Sequence, residues 1–232
     1  MSKFSKTSDC FKCNLKINLF CYMTDEQLAK VNEKRQEVHF KPGETIFKRR
    51  GPLTHIICIT KGKVKIYLED NNTDKKILFA IIKPVEMLGG PGFLTDERHY
   101  FTATAMEETS ACFIRAEDYK EVMRSNPEFS MEMVKYLNER IIIHYDKIIN
   151  LTHKQTHGKI ADTLLYLANQ VYNSDSFETP LTRQDFADMS AMTKESAIRA
   201  LKEFESEGII KCGTHHFQII NKEALRKIHK FG

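Results

Sequence analysis

The sequence predicts an α+β protein: an antiparallel β-roll, then a long helix, then a winged helix-turn-helix. Three observations indicate this order. Short apolar runs alternate with turn residues between positions 37 and 115. An apolar repeat with helical spacing follows the Asn126-Pro127 pair. Two capped helical segments then meet at a tight turn between positions 181 and 201.

Length and composition are those of a soluble globular protein with two domains. The chain has 232 residues, 41% of them hydrophobic and 28% charged, and a formal net charge of +4. We expect a cysteine-containing segment over 1–23, a roll over 24–126, a connecting helix over 127–152 and the last domain over 153–232. The last domain carries 11 Lys+Arg against 10 Asp+Glu, a balance of +1. Binding to nucleic acid would therefore depend on where its charges lie.

The sequence gives no sign of export or of membrane insertion. The amino-terminal residues lack an apolar leader, and the densest apolar run, 141–143, is far too short to cross a bilayer. We expect a cytoplasmic protein with no membrane partner. Six cysteines in that compartment would be reduced, so their clustering points to a metal or a redox role before disulfides.

The roll begins after a capped helix. Thr24 and Gln27 form the capping box of a helix that runs to about Arg35. Strands of a length typical of antiparallel barrels and rolls follow at 38–40, 45–47, 55–59, 64–68, 77–82, 101–105 and 111–114. No long helix is predicted between them.

The long helix is predicted from residue 127 to about Leu151. Its apolar positions alternate at steps of three and four, which is typical of a two-helix coiled coil and predicts a homodimer. These positions are Val134, Leu137, Ile141, His144, Ile148 and Leu151. The alternative is that the helix packs on its own roll through Met133, Ile142, Tyr145 and Ile149. We interpret His144 as a structural member of the repeat.

The last domain starts with a helix over 153–172 and a polar linker over 172–180. Two short helices then follow, the first capped by Thr182 with Asp185 and the second by Thr193. The inward faces are Leu181, Phe186 and Met189 in the first helix, and Ala197, Ile198, Leu201 and Phe204 in the second. Gly208 ends the second helix, and 209–220 form a hairpin, or wing.

The amino end of the second helix gathers side chains that can read base edges. Arg and Lys donate to guanine, Glu accepts from cytosine, and Ser can do either. The predicted DNA-binding residues are Thr182, Arg183, Thr193, Lys194, Glu195, Ser196 and Arg199. The alternative is an ordinary helical hairpin with solvated charges. Ala191 stands in the turn, where a glycine is common, so the turn must form without a residue that tolerates positive φ at little cost.

A roll, a long helix and a winged helix-turn-helix in this order resemble the CRP/FNR superfamily of bacterial transcription regulators. The motifs 182–185 and 194–199 are similar to the family's helix-turn-helix signature. The resemblance implies a sensor like a cyclic-nucleotide-binding domain, a homodimer and an inverted-repeat site on double-stranded DNA. It also implies RNA polymerase as a partner, with Lys194, Glu195 and Arg199 on the bases.

The sensor half departs from the cyclic-AMP branch of that family. Gly90 and Phe101 stand where the branch has the glutamate for the ribose and the arginine for the phosphate, and Arg98 is the nearby cation. A buried phosphate without a guanidinium is costly, so cyclic AMP is not expected. Another small molecule could occupy a pocket formed by Ile57, Phe79, Gly89, Gly90, Phe93 and Phe101.

The cysteines are similar to those of the FNR branch. Cys10, Cys13 and Cys21 precede the first helix, and Cys112 stands where the branch has its fourth ligand, which implies a [4Fe-4S] cluster. The seven-residue gap between Cys13 and Cys21 is longer than that pattern. The alternative is that these thiols bind no metal and that Cys58 and Cys112 are small apolar strand residues.

A second hypothesis for the whole chain is a metal or redox protein whose last domain contacts protein rather than DNA. No nucleophile motif or carboxylate pair predicts an enzyme.

Overall fold

The computed structural model describes residues 9–13, 18–70, 73 and 75–232. The chain divides into two compact units, one drawn from residues 1–74 and 80–140 and the other from 75–79 and 141–232. No helix in the described part of the chain is long and apolar enough to cross a bilayer.

Two four-stranded sheets form the roll, in the orders β1-β8-β3-β6 and β2-β7-β4-β5. The strands are β1 Gln36–Phe40, β2 Thr45–Phe47, β3 His55–Lys61, β4 Val64–Glu69, β5 Lys76–Ile82, β6 Met87–Leu88, β7 Thr102–Ala105 and β8 Thr109–Arg115. Seven of these eight were predicted, within one or two residues at most ends. The two-residue β6, which pairs with β3 around Ile57 and Cys58, was not predicted because two residues give no alternation to detect.

Two apolar cores lie in this unit. One holds Ile57, Ile59, Val64 and Ile66 with Phe101 packed against it. The other lies beneath the helices and is rich in sulfur, since its buried members include Cys10, Met23, Cys58, Met87, Cys112 and Met133.

Three helices flank the roll: α1 Asp25–Lys34, α2 Ala116–Ser125 and α3 Pro127–His153. Thr24 caps α1 and forms the predicted capping box with Gln27. The helix α2 was not predicted. The 27-residue α3 confirms the predicted long helix, with Phe129 and Met133 fully buried on its inner side.

The second unit contains four further helices and a three-stranded sheet. Its elements are α4 Thr156–Tyr166, a π-helical turn Leu167–Val171, β9 Ser176–Glu178, α5 Arg183–Met189, α6 Lys194–Ser206, β10 Ile210–Cys212, β11 His216–Ile219 and α7 Lys222–Phe231. The sheet order is β10-β11-β9, so the predicted hairpin is joined by a third strand.

Two sequence predictions for this unit need correction. The helix expected over 153–172 is present, but it begins at Thr156 as α4, after α3 has ended at His153, and its last turn over Leu167–Val171 is π-helical. The polar linker expected over 172–180 contains β9, because Phe177 is buried and its ring stacks 4.7 Å from Tyr172 and 5.9 Å from Phe217. One aromatic anchor holds an otherwise polar segment in the sheet.

The turn between α5 and α6 places a non-glycine residue at a positive φ angle, which costs free energy. Ala191 lies at φ 49, in the left-handed region, and is exposed. An alanine there is disfavoured by about 1 to 2 kcal/mol relative to the right-handed region, because its Cβ approaches the following carbonyl oxygen. Glycine has no such penalty.

We therefore expect Ala191→Gly to stabilise the protein by roughly 0.5 to 1 kcal/mol, after allowing for the greater entropy of glycine in the unfolded chain. Thermal and urea unfolding would measure the change. The same substitution at the exposed Ala29, in the middle of α1, should destabilise by about 1 kcal/mol. A loss of stability at both positions would contradict the left-handed assignment.

Candidate nucleic-acid interface

The amino end of α6 is fixed by a side-chain cap. The Thr193 hydroxyl accepts a hydrogen bond from the Ser196 backbone N–H at 3.2 Å and donates to the Ser196 hydroxyl at 3.1 Å. The remaining free N–H groups of the first turn and the helix dipole make this end favourable for an anion such as a phosphate.

Around this end, the side chains predicted to read bases face solvent. Lys194, Glu195 and Arg199 are exposed, and Ser196 is half-buried because it takes part in the cap. Glu195, Arg199 and Lys202 follow one another at steps of four and three, so they share one side of the helix. The opposite side is buried through Ala197, Ala200, Leu201 and Phe204, while Ile198 is half-buried.

Helix α5 supports α6 from inside the unit. Leu181, Phe186 and Met189 are buried as predicted, and Thr182 caps α5 with Asp185 in a reciprocal capping box. The Ser190 hydroxyl at the end of α5 lies 2.8 Å from the Thr163 hydroxyl of α4, and both residues are fully buried. A buried pair of hydroxyls that satisfy each other holds α5 in register with α4.

Arg183 is placed against the wing rather than outward. Its Nη2 donates to the Gly213 carbonyl at 2.7 Å, and its guanidinium carbon lies 4.9 Å from the Phe217 ring centroid. The Gly213 N–H in turn donates to the His216 carbonyl at 2.8 Å, which closes the hairpin. Arg183 therefore joins the start of α5 to the tip of the wing.

The end of α3 is held within this unit by Asp162 of α4. The Asp162 carboxylate accepts from Asn150 at 2.7 Å and forms an ion pair with Lys147 at 3.7 Å. It also lies 3.1 Å from Nε2 of His229 in α7. Burial lowers the pKa of Lys147, and Asp162 opposes that shift. Three elements thus meet at one partly buried carboxylate.

The outer side of α3 leaves a long apolar face in solvent. Val134, Leu137, Ile141 and Ile148 are 39% to 51% exposed, and Ile142, Tyr145 and Ile149 continue the face at 51% to 61%. Of the residues in the alternative interpretation, Met133 alone is buried. Leu151 is half-buried, as is His144, whose ring lies 4.8 Å from the Phe79 ring.

The residues expected to line an effector pocket do not share one surface. Ile57 and Phe101 belong to one core, whereas Phe93 packs on Tyr119 in the other, with ring centroids 5.9 Å apart. The Phe101 ring lies against the backbone of Gly90, so that a Cβ added there would be 2.9 Å from the ring. Arg98 donates to the Arg50 carbonyl at 3.0 Å. Phe79 packs on His144, as above, and Gly89 faces Ile56.

The structure does not assemble the predicted four-thiol ligand set. Among the described residues, no group of three or more His, Cys, Asp or Glu side chains is placed to hold a metal ion. Cys21 is exposed, while Cys10 and Cys112 are buried. Cys58, which was not in the predicted set, lies directly opposite Cys112 in the β3–β8 ladder. Sequence reasoning missed Cys58 because only the strand register reveals that pairing. As they are placed, the described cysteines therefore do not form the predicted four-thiolate ligand set.

Both halves of the chain match models of known protein families, and most of the chain aligns with known transcription regulators. The family model of the cyclic nucleotide-binding domain matches residues 37–126, and that of the Crp-like helix-turn-helix domain matches residues 158–228. The transcriptional regulatory protein btr of Bordetella pertussis is 21% identical over 89% of this chain and 86% of its own. The cAMP-activated global transcriptional regulator CRP of Salmonella typhimurium is 25% identical over 75% of this chain and 84% of its own.

Solved structures share the fold. FixK2 from Bradyrhizobium japonicum superposes with a TM-score of 0.76 at 18% identity, over 84% of this chain and 96% of its own. A transcriptional regulator of the crp/fnr family from Eubacterium rectale gives a TM-score of 0.77 at 17% identity, over 92% and 98%. At these identities the likeness concerns the fold.

We expect the α6 cap to contribute measurably to stability. Thr193→Ala removes the hydroxyl that accepts the Ser196 N–H, and should lower the free energy of unfolding by about 1 kcal/mol. Thr193→Ser keeps the hydroxyl and should remain within a few tenths of wild type. Urea unfolding of the two variants measures the difference. Equal free energies of unfolding for the alanine and serine variants would show that the cap does not contribute to stability.

Proposed function

The chain belongs to the CRP/FNR family of transcription regulators, and we propose that it binds an inverted-repeat DNA site as a homodimer through the amino end of α6. The observation that supports this most is the contrast within α6. One side is buried, whereas the capped amino end presents Lys194, Glu195 and Arg199 to solvent. A helix placed in this way can enter a major groove without any rearrangement of its own unit.

The proposed contacts follow from the chemistry of the three side chains. Arg199 donates two hydrogen bonds to a guanine, Glu195 accepts from a cytosine amino group, and Lys194 contacts a guanine or a phosphate. Thr182, Thr193 and Ser196 lie at the two capped helix starts, where backbone N–H groups and hydroxyls suit phosphate oxygens. Arg183 acts by holding the wing, given its bond to the Gly213 carbonyl.

The homodimer is proposed to form along the outer face of α3. Seven large apolar residues on one helix are between 39% and 61% exposed, and a contiguous apolar surface of that kind is typical of an interface. The spacing of Val134, Leu137, Ile141 and Ile148 suits the seam of a two-helix coiled coil. Two copies would carry two α6 helices into successive major grooves about 34 Å apart.

The long helix is also the proposed route from the sensor to the DNA. Lys147 and Asn150 of α3 hold the Asp162 carboxylate of α4, and the Thr163–Ser190 pair joins α4 to α5. A change in the pairing of two α3 helices would therefore be passed to α5 and α6 through polar contacts that are largely buried. A signal acts by favouring one of two such arrangements.

Cyclic AMP is not proposed as that signal. Phe101 occupies the space beside Gly90, and the Arg98 guanidinium is bonded to a backbone carbonyl. A phosphate placed there would lose its hydration without gaining a cationic partner.

Arg199→Ala should abolish discrimination at one base pair of each half-site, at a cost of roughly 1 to 3 kcal/mol per half-site. The DNA is the inverted repeat that the wild-type protein selects from a random-sequence library, and binding is compared with single-base variants of it. Lys202→Ala is the matched control, since Lys202 is an exposed cation one turn later on the same side. It should weaken all sequences alike. Equal loss of discrimination in both variants would refute the assigned role of Arg199.

Ile141→Glu should disrupt the homodimer, because it places a charge in the middle of the apolar face. Sedimentation equilibrium should show the dissociation constant rising by at least tenfold. Ile143→Glu is the control: Ile143 is 52% exposed against 42% for Ile141, but two residues turn a helix by about 200°, which places it nearly opposite. A monomeric wild-type protein, or equal effects of both variants, would contradict this interface.

A further inference from the structure

One region of the first unit contains three buried cysteines and one half-buried cysteine. Cys10, Cys58 and Cys112 are members of one buried core, and Cys13, three residues after Cys10, is half-buried. Each of the three buried thiols has a raised pKa to which Cys13 contributes. Side chains directly opposite on antiparallel strands are neighbours, as Cys58 and Cys112 are.

A buried arginine lies among these thiols. Arg35 is 3% exposed, and its Nη1 donates to the Cys112 Sγ at 3.4 Å. Its Nε donates to Asn32 Oδ1 at 3.2 Å, and the same oxygen accepts the Cys10 N–H at 3.0 Å. Arg35 also forms a hydrogen bond with the Cys10 side chain. The guanidinium is therefore a shared neighbour of Cys10 and Cys112.

The segment that carries Cys10 and Cys13 is an ordered turn. The Asp9 carboxylate accepts from the Phe11 N–H at 3.0 Å and from the Asn32 amide at 3.1 Å. The Lys12 N–H donates to the Asp9 carbonyl at 3.1 Å. Cys10 lies in this turn and Cys13 follows it directly, so the short chain between them keeps the two thiols within reach of each other, and Cys13 contributes to the raised pKa of Cys10.

Burial and exposure give the thiols different roles. Burial raises the pKa of Cys10, and it raises that of Cys112 to about 11, although Arg35 opposes both shifts. Cys58 is buried as well, so neither strand thiol can meet a reagent in solution. Cys13 is the member of the group that solvent reaches.

We propose that Cys10 and Cys13 are a redox-active dithiol that hydroperoxides convert to a disulfide, and that this oxidation changes the affinity for DNA. The second half of this proposal rests on the proposed function. The first half concerns the thiols alone.

Hydrogen peroxide is the oxidant that accepts the two electrons lost by the thiols. The Cys13 thiol loses its proton, and the thiolate attacks hydrogen peroxide. The O–O bond breaks, Cys13 becomes a sulfenic acid, and the leaving hydroxide takes up a proton in place of the one that the thiol lost, so that water is released. The Cys10 sulfur then attacks the sulfenic sulfur, loses its proton, and expels a second water as the S–S bond forms. Two thiols lose two electrons in total, and the peroxide gains them. Arg35 favours the thiolate character that Cys10 needs in the second step.

Oxidation would also disturb the contacts around Arg35. A disulfide removes the Cys10 proton and ties its sulfur to Cys13, so that Cys10 can no longer face Arg35 as a thiolate. Arg35 is the C-cap residue of α1 and precedes β1 directly, so the junction of these two elements depends on the same bonds. Asn32, which holds both Arg35 and the Cys10 backbone, lies in α1.

The test uses the full chain, reduced, desalted and treated with hydrogen peroxide. Peptide mapping by mass spectrometry should find one disulfide, Cys10–Cys13, and thiol titration should fall from six to four. Binding to the inverted repeat selected by the reduced protein should change by about fivefold or more on oxidation and recover with dithiothreitol. Cys13→Ser should remove both responses. Cys21→Ser, which removes an exposed thiol outside the group, should keep both.

Several results would overturn the proposal: a peroxide-induced disulfide that leaves out Cys10 or Cys13, no disulfide at all, or an unchanged affinity in protein shown to be oxidised. Iron or zinc retained by Cys10 and Cys13 in protein purified without oxygen would also overturn it. If the reduced protein selects no DNA sequence, the proposed function fails, whatever the peptide map shows about the thiols.

Discussion

A single long helix cannot bury two apolar faces on one small roll, and much of this structure depends on that constraint. The inner side of α3 is buried within the chain, where Phe129 and Met133 are fully buried. The outer side has no partner surface among the described residues, since Ile141 and Ile148 are 42% and 51% exposed. Burying a Val, Leu or Ile side chain stabilises by about 1.5 to 3 kcal/mol. A second copy of the helix, as proposed above, would bury this face, because its apolar positions have the same spacing.

The same helix ends in a group of partly buried charges. Lys147 and Asp162 are 13% and 14% exposed, so removing one would leave the other desolvated and unpaired. His229 and Asn150 complete the bonds of the Asp162 carboxylate. Such a network tolerates few geometries, which fixes how α3, α4 and α7 meet. In the proposed mechanism, this network would couple a rearrangement of α3 to α4 and from there to α6.

Local signals predicted most of what positions the interface. The capping boxes at Thr24 and Thr182, the cap at Thr193 and the buried side of α5 follow from short-range chemistry, and the structure has each of them. The helix α7 was missed although its Asn221 cap and the Leu225–Ile228 spacing are readable in the sequence. The strand β9 could not be predicted, because a single aromatic residue in a polar segment does not form the alternating apolar pattern that indicates a strand.

Contacts that depend on strand register could not be predicted either. The sequence pairs Cys112 with the amino-terminal thiols only through resemblance, and it gives no reason to add Cys58. The β3–β8 register places Cys58 opposite Cys112, and the helix-to-strand junction at Arg35 places a guanidinium beside Cys112. A one-residue slip would turn Cys58 to the other face of the sheet.

The surroundings of Gly90 and Phe101 do not suit a cyclic nucleotide. These two positions are where the resemblance places the ribose and phosphate contacts, and the Phe101 ring fills the space beside Gly90 and lies 5.4 Å from Phe47. Phe47 also stacks on His99, whose pKa burial lowers to about 4, so that this side chain stays neutral. His99 therefore supplies no positive charge for an anionic ligand there. Arg35 and Lys120 are the buried cations among the described residues of this unit. Arg35 has the Cys10 and Cys112 thiols as neighbours, which is consistent with the proposed oxidation of Cys10.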